Sequence, residues 1–117
     1  MLRLLQAARN SWNGLVAAAR SEQAFRQELV VFVIAVPLAF IVATEAWRRL
    51  ALIAVLLLVM VVELLNTAIE KLSDHVTPDS HPGIGRIKDM ASAAVGISLF
   101  LAGLVWLVAL AERFGLL

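Results

Sequence analysis

Hydrophobic side chains are concentrated in three long runs that shorter polar segments separate. The runs extend from Leu29 to Ala43, from Leu50 to Val62 and from Met90 to Ala111. A helix needs about 20 apolar residues to cross the roughly 30 Å of hydrocarbon in a bilayer. The third run reaches that length alone, and flanking residues extend the first two. The pattern therefore predicts three transmembrane helices, over about 29–47, 48–70 and 90–112.

The first 28 residues have a different pattern, in which charged and apolar residues alternate with the period of a helix. On a helical wheel, one arc of about 100° holds apolar side chains, and the opposite side holds polar ones such as Arg9 and Arg20. The segment lacks the continuous apolar core of a cleavable signal peptide. The pattern of residues 1–28 therefore predicts an amphipathic helix that lies on the membrane surface. With the three spans, it predicts an all-α membrane protein of one domain.

The composition strengthens this interpretation. Of the 117 residues, 62% are hydrophobic and 16% are charged, whereas apolar residues make up about half or less of a soluble domain. Ten Lys and Arg residues nearly balance nine Asp and Glu residues, so the charge gives no reason to expect nucleic-acid binding. The absence of cysteine excludes disulfides and thiolate metal sites. The composition therefore excludes a soluble globular domain, a disordered chain and a small secreted fold held by disulfides.

The positive charges predict the orientation of the chain in the membrane. Seven of the ten Lys and Arg residues lie in the N-terminal segment or in the connection between the second and third spans. By the positive-inside rule, the N-terminus and this connection face the cytoplasm. The connection runs from about Lys71 to Asp89 and contains the helix breakers Pro78, Pro82 and Gly83, so it predicts a loop.

A stripe of polar side chains follows the end of the second span. Its members are spaced three, four and four residues apart, which places them on one helix face over about 16 Å. They are Glu63, Asn66, Glu70 and Asp74, which we call the acidic stripe. Glu63 lies in the apolar segment, where an ionised carboxylate costs about 2.5–3.5 kcal/mol or more unless it is paired or neutralised. The acidic stripe thus predicts a functional site that begins below the membrane interface and ends in water.

This site is suited to more than one kind of chemistry. Carboxylates at its water end suit magnesium, which proteins hold with one or two carboxylates plus substrate phosphates. A carboxylate at its low-dielectric end is suited to accept a proton as a general base. A transporter would instead use Glu63 as a proton-coupled carboxylate. An assembly subunit would pack the acidic stripe against polar residues of a neighbouring copy.

Polar residues near the third span give weaker signals. Lys88 and Asp89 lie directly before the third apolar run, where a lysine either clamps a phosphate or anchors the helix at the interface. Ser92 follows Lys88 by one turn on the same face. His75 and His81 do not have the spacing of a familiar zinc ligand pair, so no zinc site is expected.

Longer segments of the sequence indicate a family. The segment from Glu63 to Glu70 reads ELLNTAIE, and the segment from Gly85 to Val95 reads GRIKDMASAAV. Together with SWNGL at 11–15 and AFRQE at 24–28, they resemble the prokaryotic diacylglycerol kinase family along nearly the whole chain. The motif E-x-x-N-x-x-x-E, followed later in the chain by K-D-x-x-S, is specific to this resemblance.

The resemblance implies an integral membrane kinase that transfers the γ-phosphate of ATP to diacylglycerol and forms phosphatidic acid. It also implies a homotrimer whose subunits each have an N-terminal surface helix and three transmembrane helices. Active sites shared between subunits would lie at the cytoplasmic face of the bacterial inner membrane, with Mg²⁺ as the cofactor. Undecaprenol kinase, whose relatives carry the same stripe, is the alternative within this class.

The resemblance further implies roles for individual residues. Glu63 would be the general base, and Glu22 and Glu70 would hold Mg²⁺. The implied ATP contacts are Arg3, Asn10, Glu22, Glu70, Asp79, Ser80, His81, Lys88 and Asp89. The implied contacts to the lipid substrate are Ala24, Phe25, Arg26, Gln27, Glu28, Glu63, Asn66 and Ser92. Two other carboxylates, Glu45 and Glu112, are expected to be ordinary interface charges.

Overall fold

The computed structural model describes residues 1–77 and 79–117, and within them the chain forms helices joined by short segments. The helices are α1 (Leu2–Ser21), α2 (Gln23–Val42), α3 (Ala46–Val76) and α4 (Pro82–Arg113). No strand occurs in these residues, which confirms the prediction of an all-α chain. Pro78, which we expected in a loop, lies outside the described residues.

Three of these helices are long and apolar enough to cross a membrane. They are α2, α3 and α4, with 20, 31 and 32 residues. At 1.5 Å per residue, α2 matches the hydrocarbon thickness, while α3 and α4 reach about 46 and 48 Å and extend beyond it. Large apolar side chains such as Val33, Ile97 and Phe100 remain more than two-thirds exposed within a single chain. The prediction of an N-terminal helix followed by three candidate membrane spans is therefore confirmed.

The tightest packing lies near the end of the bundle that is distant from the acidic stripe. Ala39 and Ala43 of α2 pack with Leu52 of α3 and Ala109 of α4 in a buried cluster. Small side chains at such positions let helices approach closely. Trp106 Nε1 donates a hydrogen bond of 3.1 Å to the Leu52 carbonyl and connects α4 to α3. This cluster fixes the relative positions of the three long helices.

The junction between α1 and α2 is a single extended residue, Glu22, with φ −116° and ψ 113°. Arg26 Nη1 donates hydrogen bonds of 3.0 Å to the carbonyls of Ala19 and Arg20. These carbonyls belong to the last turn of α1, where no further helical N–H is available, so Arg26 satisfies them. The surface helix consequently ends earlier than expected, and residues 23–28 form the start of the first long apolar helix.

The connection between α3 and α4 is much shorter than expected. The prediction of a loop over Lys71–Asp89 is wrong for most of its length, because α3 continues to Val76 and α4 begins at Pro82. Proline is tolerated at the first position of a helix, where its missing N–H has no helical partner. His81 Nδ1 accepts a hydrogen bond of 3.0 Å from the Gly83 N–H and caps α4. These residues therefore start a helix.

Charged residues also pair at the end opposite the acidic stripe. Arg48 lies 3.8 Å from Glu45 and 3.3 Å from Glu112, the two carboxylates that we expected to be ordinary interface charges. Arg49 Nε donates a hydrogen bond of 2.7 Å to the Ala43 carbonyl at the end of α2. Because the ion-paired side chains are more than one-third exposed, each pair adds little to stability.

Candidate active site

The acidic stripe passes from a packed environment to an open one along α3. Glu63 and Asn66 are only 8% and 9% exposed, whereas Glu70 and Asp74 are exposed. Since these residues recur at helical spacing on one face, a single helix carries carboxylates from the interior to the surface. The gradient that the sequence predicted within α3 is present in the structure.

Neighbouring elements bring further carboxylates to Glu63. Glu22 at the α1–α2 junction, Glu28 of α2 and Glu70 of α3 all lie within electrostatic reach of Glu63. Like charges repel strongly where burial lowers the effective dielectric constant. The arrangement is therefore suited to hold cations or protons. The spacing along the sequence had linked neither Glu22 nor Glu28 to the acidic stripe.

Two buried acceptor atoms beside Glu63 have unused hydrogen-bonding capacity. Glu28 Oε1 and Asn66 Oδ1 have no hydrogen-bond partner among the residues described. The amide of Asn66 donates a 3.2 Å hydrogen bond from Nδ2 to Glu70 Oε1, which orients the side chain. A buried polar group without a partner costs about 1–3 kcal/mol. A donor such as a hydroxyl group would satisfy either atom.

Lys71 connects α3 to the α1–α2 junction. Its Nζ lies 3.3 Å from Glu22 Oε1 and 3.3 Å from Ser21 Oγ. The contact spans about fifty positions of the chain, so no local pattern could reveal it. The contact places Glu22 beside Lys71, which directly follows Glu70 in the sequence. Glu22 and Glu70, the two carboxylates assigned to Mg²⁺ by resemblance, thus lie at the same end of the bundle.

Lys88 of α4 lies at the water end of the acidic stripe. Its Nζ is 2.6 Å from Asp74 Oδ1 and forms an ion pair with this carboxylate. The Lys88 side chain is 38% exposed, so the ammonium group remains accessible to an incoming anion. Asp89 and Ser92 are exposed on α4. The structure therefore brings the Lys88 side chain into contact with the acidic stripe.

Two of the residues assigned to ATP lie on the N-terminal half of α1. Arg3 and Asn10 are exposed on α1, which is helical without interruption to Ser21. At 1.5 Å per residue they lie about 27 Å and 16 Å from Ser21 along the helix axis. Asp79 and Ser80 are exposed in the α3–α4 connection. Arg3 therefore lies far along α1 from the α1–α2 junction, where Glu22 meets Lys71.

The residues assigned to the lipid substrate at 24–28 differ in their surroundings. Phe25 is only 1% exposed and belongs to the core, and Arg26 satisfies the end of α1. Ala24 and Gln27 are exposed. Elsewhere, α1 and α3 border a largely apolar groove of about 500 Å³. Its lining, which the sequence analysis did not identify, includes Ser11, Leu15, Ser21, Leu64, Thr67 and Lys71.

The donor set is consistent with a metal ion that arrives with its substrate. Within the part of the chain that the structure describes, no three Asp, Glu or His side chains converge as a complete metal site. Mg²⁺ rarely needs one, because it retains waters and takes ligands from substrate phosphates beside one or two carboxylates. Glu22 and Glu70, to which the family resemblance gives this role, would provide hard oxygen ligands of that kind near the water end of the acidic stripe.

Comparisons with known proteins agree with these observations. Residues 9–110 match the family model described as prokaryotic diacylglycerol kinase. The chain is 44% identical over 113 residues to a diacylglycerol kinase of Escherichia coli strain K12, across 97% of this chain and 93% of the relative. Identity is 41% over 104 residues to a diacylglycerol kinase of Pseudomonas aeruginosa, across 89% of this chain and 85% of the relative. The chain is also 38% identical over 103 residues to a diacylglycerol kinase of Haemophilus influenzae, across 88% of this chain and 87% of the relative.

Proposed function

The chain belongs to the prokaryotic diacylglycerol kinase family, and on this basis we propose that it transfers the γ-phosphate of ATP to the free hydroxyl of diacylglycerol, forming phosphatidic acid. The observation that carries the proposal is the acidic stripe, whose carboxylates run from buried Glu63 to exposed Glu70 and Asp74. A lipid hydroxyl reaches such a stripe from the apolar side, and a nucleotide reaches it from water. The two substrates meet on one helix face.

Glu63 is the general base in this proposal. The hydroxyl oxygen of the lipid attacks the γ-phosphorus, the bond from that phosphorus to the β–γ bridging oxygen breaks, and ADP leaves. Glu63 accepts the hydroxyl proton as the new bond forms. Its burial supports this role, because a base for a lipid hydroxyl has to lie within hydrogen-bonding reach of that hydroxyl, on the apolar side of the site.

The remaining catalytic requirement is neutralisation of charge on the phosphates, since phosphoryl transfer depends mainly on positioning and electrostatic stabilisation. Glu22 and Glu70 hold Mg²⁺ together with the ATP phosphates in this proposal. When bound, Mg²⁺ neutralises charge that develops on the transferred group. Lys88 and Asp89 contact the nucleotide phosphates and their surroundings, and the accessible ammonium group of Lys88 supports its part in this assignment.

The lipid substrate lies along α1 and the start of α2, with Ser92 at the headgroup. The apolar groove between α1 and α3 supports this placement, because it runs beside the acidic stripe and carries hydroxyl groups on its lining. Residues 24–28 contribute through Arg26 and Gln27, which line a second, largely apolar groove at the start of α2. Phe25 contributes through packing, because its side chain is buried.

We further propose that three copies of the chain form the enzyme, with active sites shared between them. The distance of about 27 Å along α1 from Arg3 to the α1–α2 junction supports this arrangement, since Arg3 then reaches the nucleotide from a second copy. The exposed apolar side chains on all three long helices are available for contacts with lipid and with other copies. The assembly lies in the bacterial inner membrane, with the N-terminus in the cytoplasm.

A transfer assay tests the proposed reaction. The purified protein in lipid bilayers receives Mg²⁺, ATP labelled at the γ-position and either diacylglycerol or undecaprenol. The expected result is label in phosphatidic acid. Label in undecaprenyl phosphate alone would overturn the choice of acceptor, and transfer to neither lipid would overturn the kinase function.

A further inference from the structure

The ammonium group of Lys71 lies between two groups at the α1–α2 junction. One is the Glu22 carboxylate at 3.3 Å, and the other is the Ser21 hydroxyl at 3.3 Å. Ser21 Oγ donates its own proton to the Ala17 carbonyl at 2.8 Å, so its lone pairs are available to the ammonium group. The ion pair with Glu22 and the hydrogen bond to Ser21 together hold the ammonium group of Lys71 beside the Glu22 carboxylate.

We propose that Lys71 is a positioning residue that occupies Glu22 while the metal is absent and is displaced from it when Mg²⁺ binds. The inference rests on the proposed function, in which Glu22 is one of the carboxylates that hold Mg²⁺. The sequence analysis assigned no role to Lys71, which follows Glu70 directly on α3.

The charges around the candidate site give the physical reason for this role. Glu22 and Glu70 each repel Glu63 across the site. The Lys71 ammonium offsets part of this repulsion and keeps the Glu22 carboxylate at the junction. A divalent cation offsets more of it and also repels the ammonium group. Lys71 therefore competes with Mg²⁺ for Glu22 and raises the metal concentration that the enzyme needs.

The exposure of the side chains makes such an exchange feasible. Lys71 is 60% exposed and Glu22 is 28% exposed, so the pair lies near water and is not locked in the core. Lysine is a compact charge on a flexible stem and does not grip a carboxylate with two parallel hydrogen bonds as arginine does. Exposed pairs of this kind typically contribute up to about 1 kcal/mol, so an incoming metal ion displaces the ammonium group readily.

Binding of Mn²⁺ in the presence of a non-hydrolysable ATP analogue tests the proposal without turnover. The signal of free Mn²⁺ in electron paramagnetic resonance gives the dissociation constant. Lys71→Met is expected to bind Mn²⁺ about two- to five-fold more tightly than the wild type, the factor that a surface ion pair supports. Lys71→Arg keeps the charge and should not show this gain. Arg113→Gln, which removes one positive charge at the opposite end of the bundle, should match the wild type.

Repeating the measurement in a Glu22→Gln variant shows whether the change in Mn²⁺ affinity depends on Glu22. In the Glu22→Gln variant, the additional Lys71→Met change should leave Mn²⁺ affinity unaltered, because the competition has been removed. A gain of the same size in both backgrounds would overturn the proposal, as would equal Mn²⁺ affinity in wild type and Lys71→Met. Lys71→Gln serves as a second neutral variant if the methionine variant does not fold.

Kinetics separate this role from a merely structural one. For Lys71→Met, the Mg²⁺ concentration at half-maximal activity should fall about two- to five-fold. Lower turnover with an unchanged Mg²⁺ requirement would indicate only a structural tether and would overturn the proposal. If the wild type transferred no phosphate to diacylglycerol, the proposed function would fail. Unchanged Mn²⁺ binding in an active variant would overturn only the role of Lys71.

Discussion

The side-chain amide of Asn66 donates a hydrogen bond of 3.2 Å to Glu70 Oε1 and connects the buried half of the acidic stripe to its exposed half. The other amide atom, Oδ1, is buried without a partner among the described residues. One side chain therefore orients a carboxylate assigned to Mg²⁺ and offers an acceptor beside Glu63. An amide, unlike a carboxylate, donates one hydrogen bond and keeps an acceptor free, which explains the presence of Asn66 in a stripe of acids.

Replacing Asn66 with alanine should impair both halves of the site. A hydrogen bond to a charged group contributes about 1.5–3 kcal/mol, so we expect turnover to fall about ten-fold or more, together with a higher Mg²⁺ requirement. Steady-state rates measured across a Mg²⁺ titration check this expectation. Ser98→Ala is the matched control, because Ser98 is also buried and donates only to the Val95 carbonyl within α4. Equal losses in both variants would contradict the assignment.

Replacing Lys88 with methionine should weaken nucleotide binding. The ammonium group is accessible at the water end of the acidic stripe and is lost in this variant. Because charge-assisted hydrogen bonds to phosphate are strong, we expect KM for ATP to rise about ten-fold. Arg86→Gln removes a charge from the first turns of the same helix, at an exposed residue, and should leave KM unchanged. A similar rise in both variants would show that the effect is one of general charge.

Trp106→Phe should destabilise the bundle without changing the candidate site. The substitution removes the 3.1 Å hydrogen bond to the Leu52 carbonyl and keeps most of the apolar contact. The expected loss in the free energy of unfolding is about 0.5–1.5 kcal/mol. Trp47→Phe alters a side chain that is 74% exposed and should have a smaller effect. Unfolding of both variants in the same detergent gives the comparison, and a larger loss for Trp47→Phe would contradict this account of the packing.

The parts of the fold that could be predicted from the sequence are those encoded within single segments. Each candidate span is a nearly continuous apolar run, and the acidic stripe follows from spacings inside α3. The α3–α4 connection was predicted too long because proline and glycine also start helices. Pro82 occupies the first position of α4, and the ring of His81 caps it.

The contacts that could not be predicted join residues distant in sequence. Glu22 meets Lys71 only because the chain reverses at the junction and returns through α2 and α3. Neither residue has a spacing relation to the other, so no helical period links them. The resemblance to the family suggested a role for Glu22, and the structure shows that Lys71 lies beside it.

The central claim is that Glu63 acts as the base for phosphoryl transfer to a lipid hydroxyl, and Glu63→Gln tests it most directly. The amide keeps the shape of the side chain but accepts a proton poorly, so the account predicts that label transfer from ATP to diacylglycerol falls about a hundred-fold or more, with Mn²⁺ and nucleotide binding retained. Glu112→Gln, an acid at the opposite end that pairs with Arg48, should remain as active as the wild type. Turnover of Glu63→Gln equal to that of the wild type would contradict the claim.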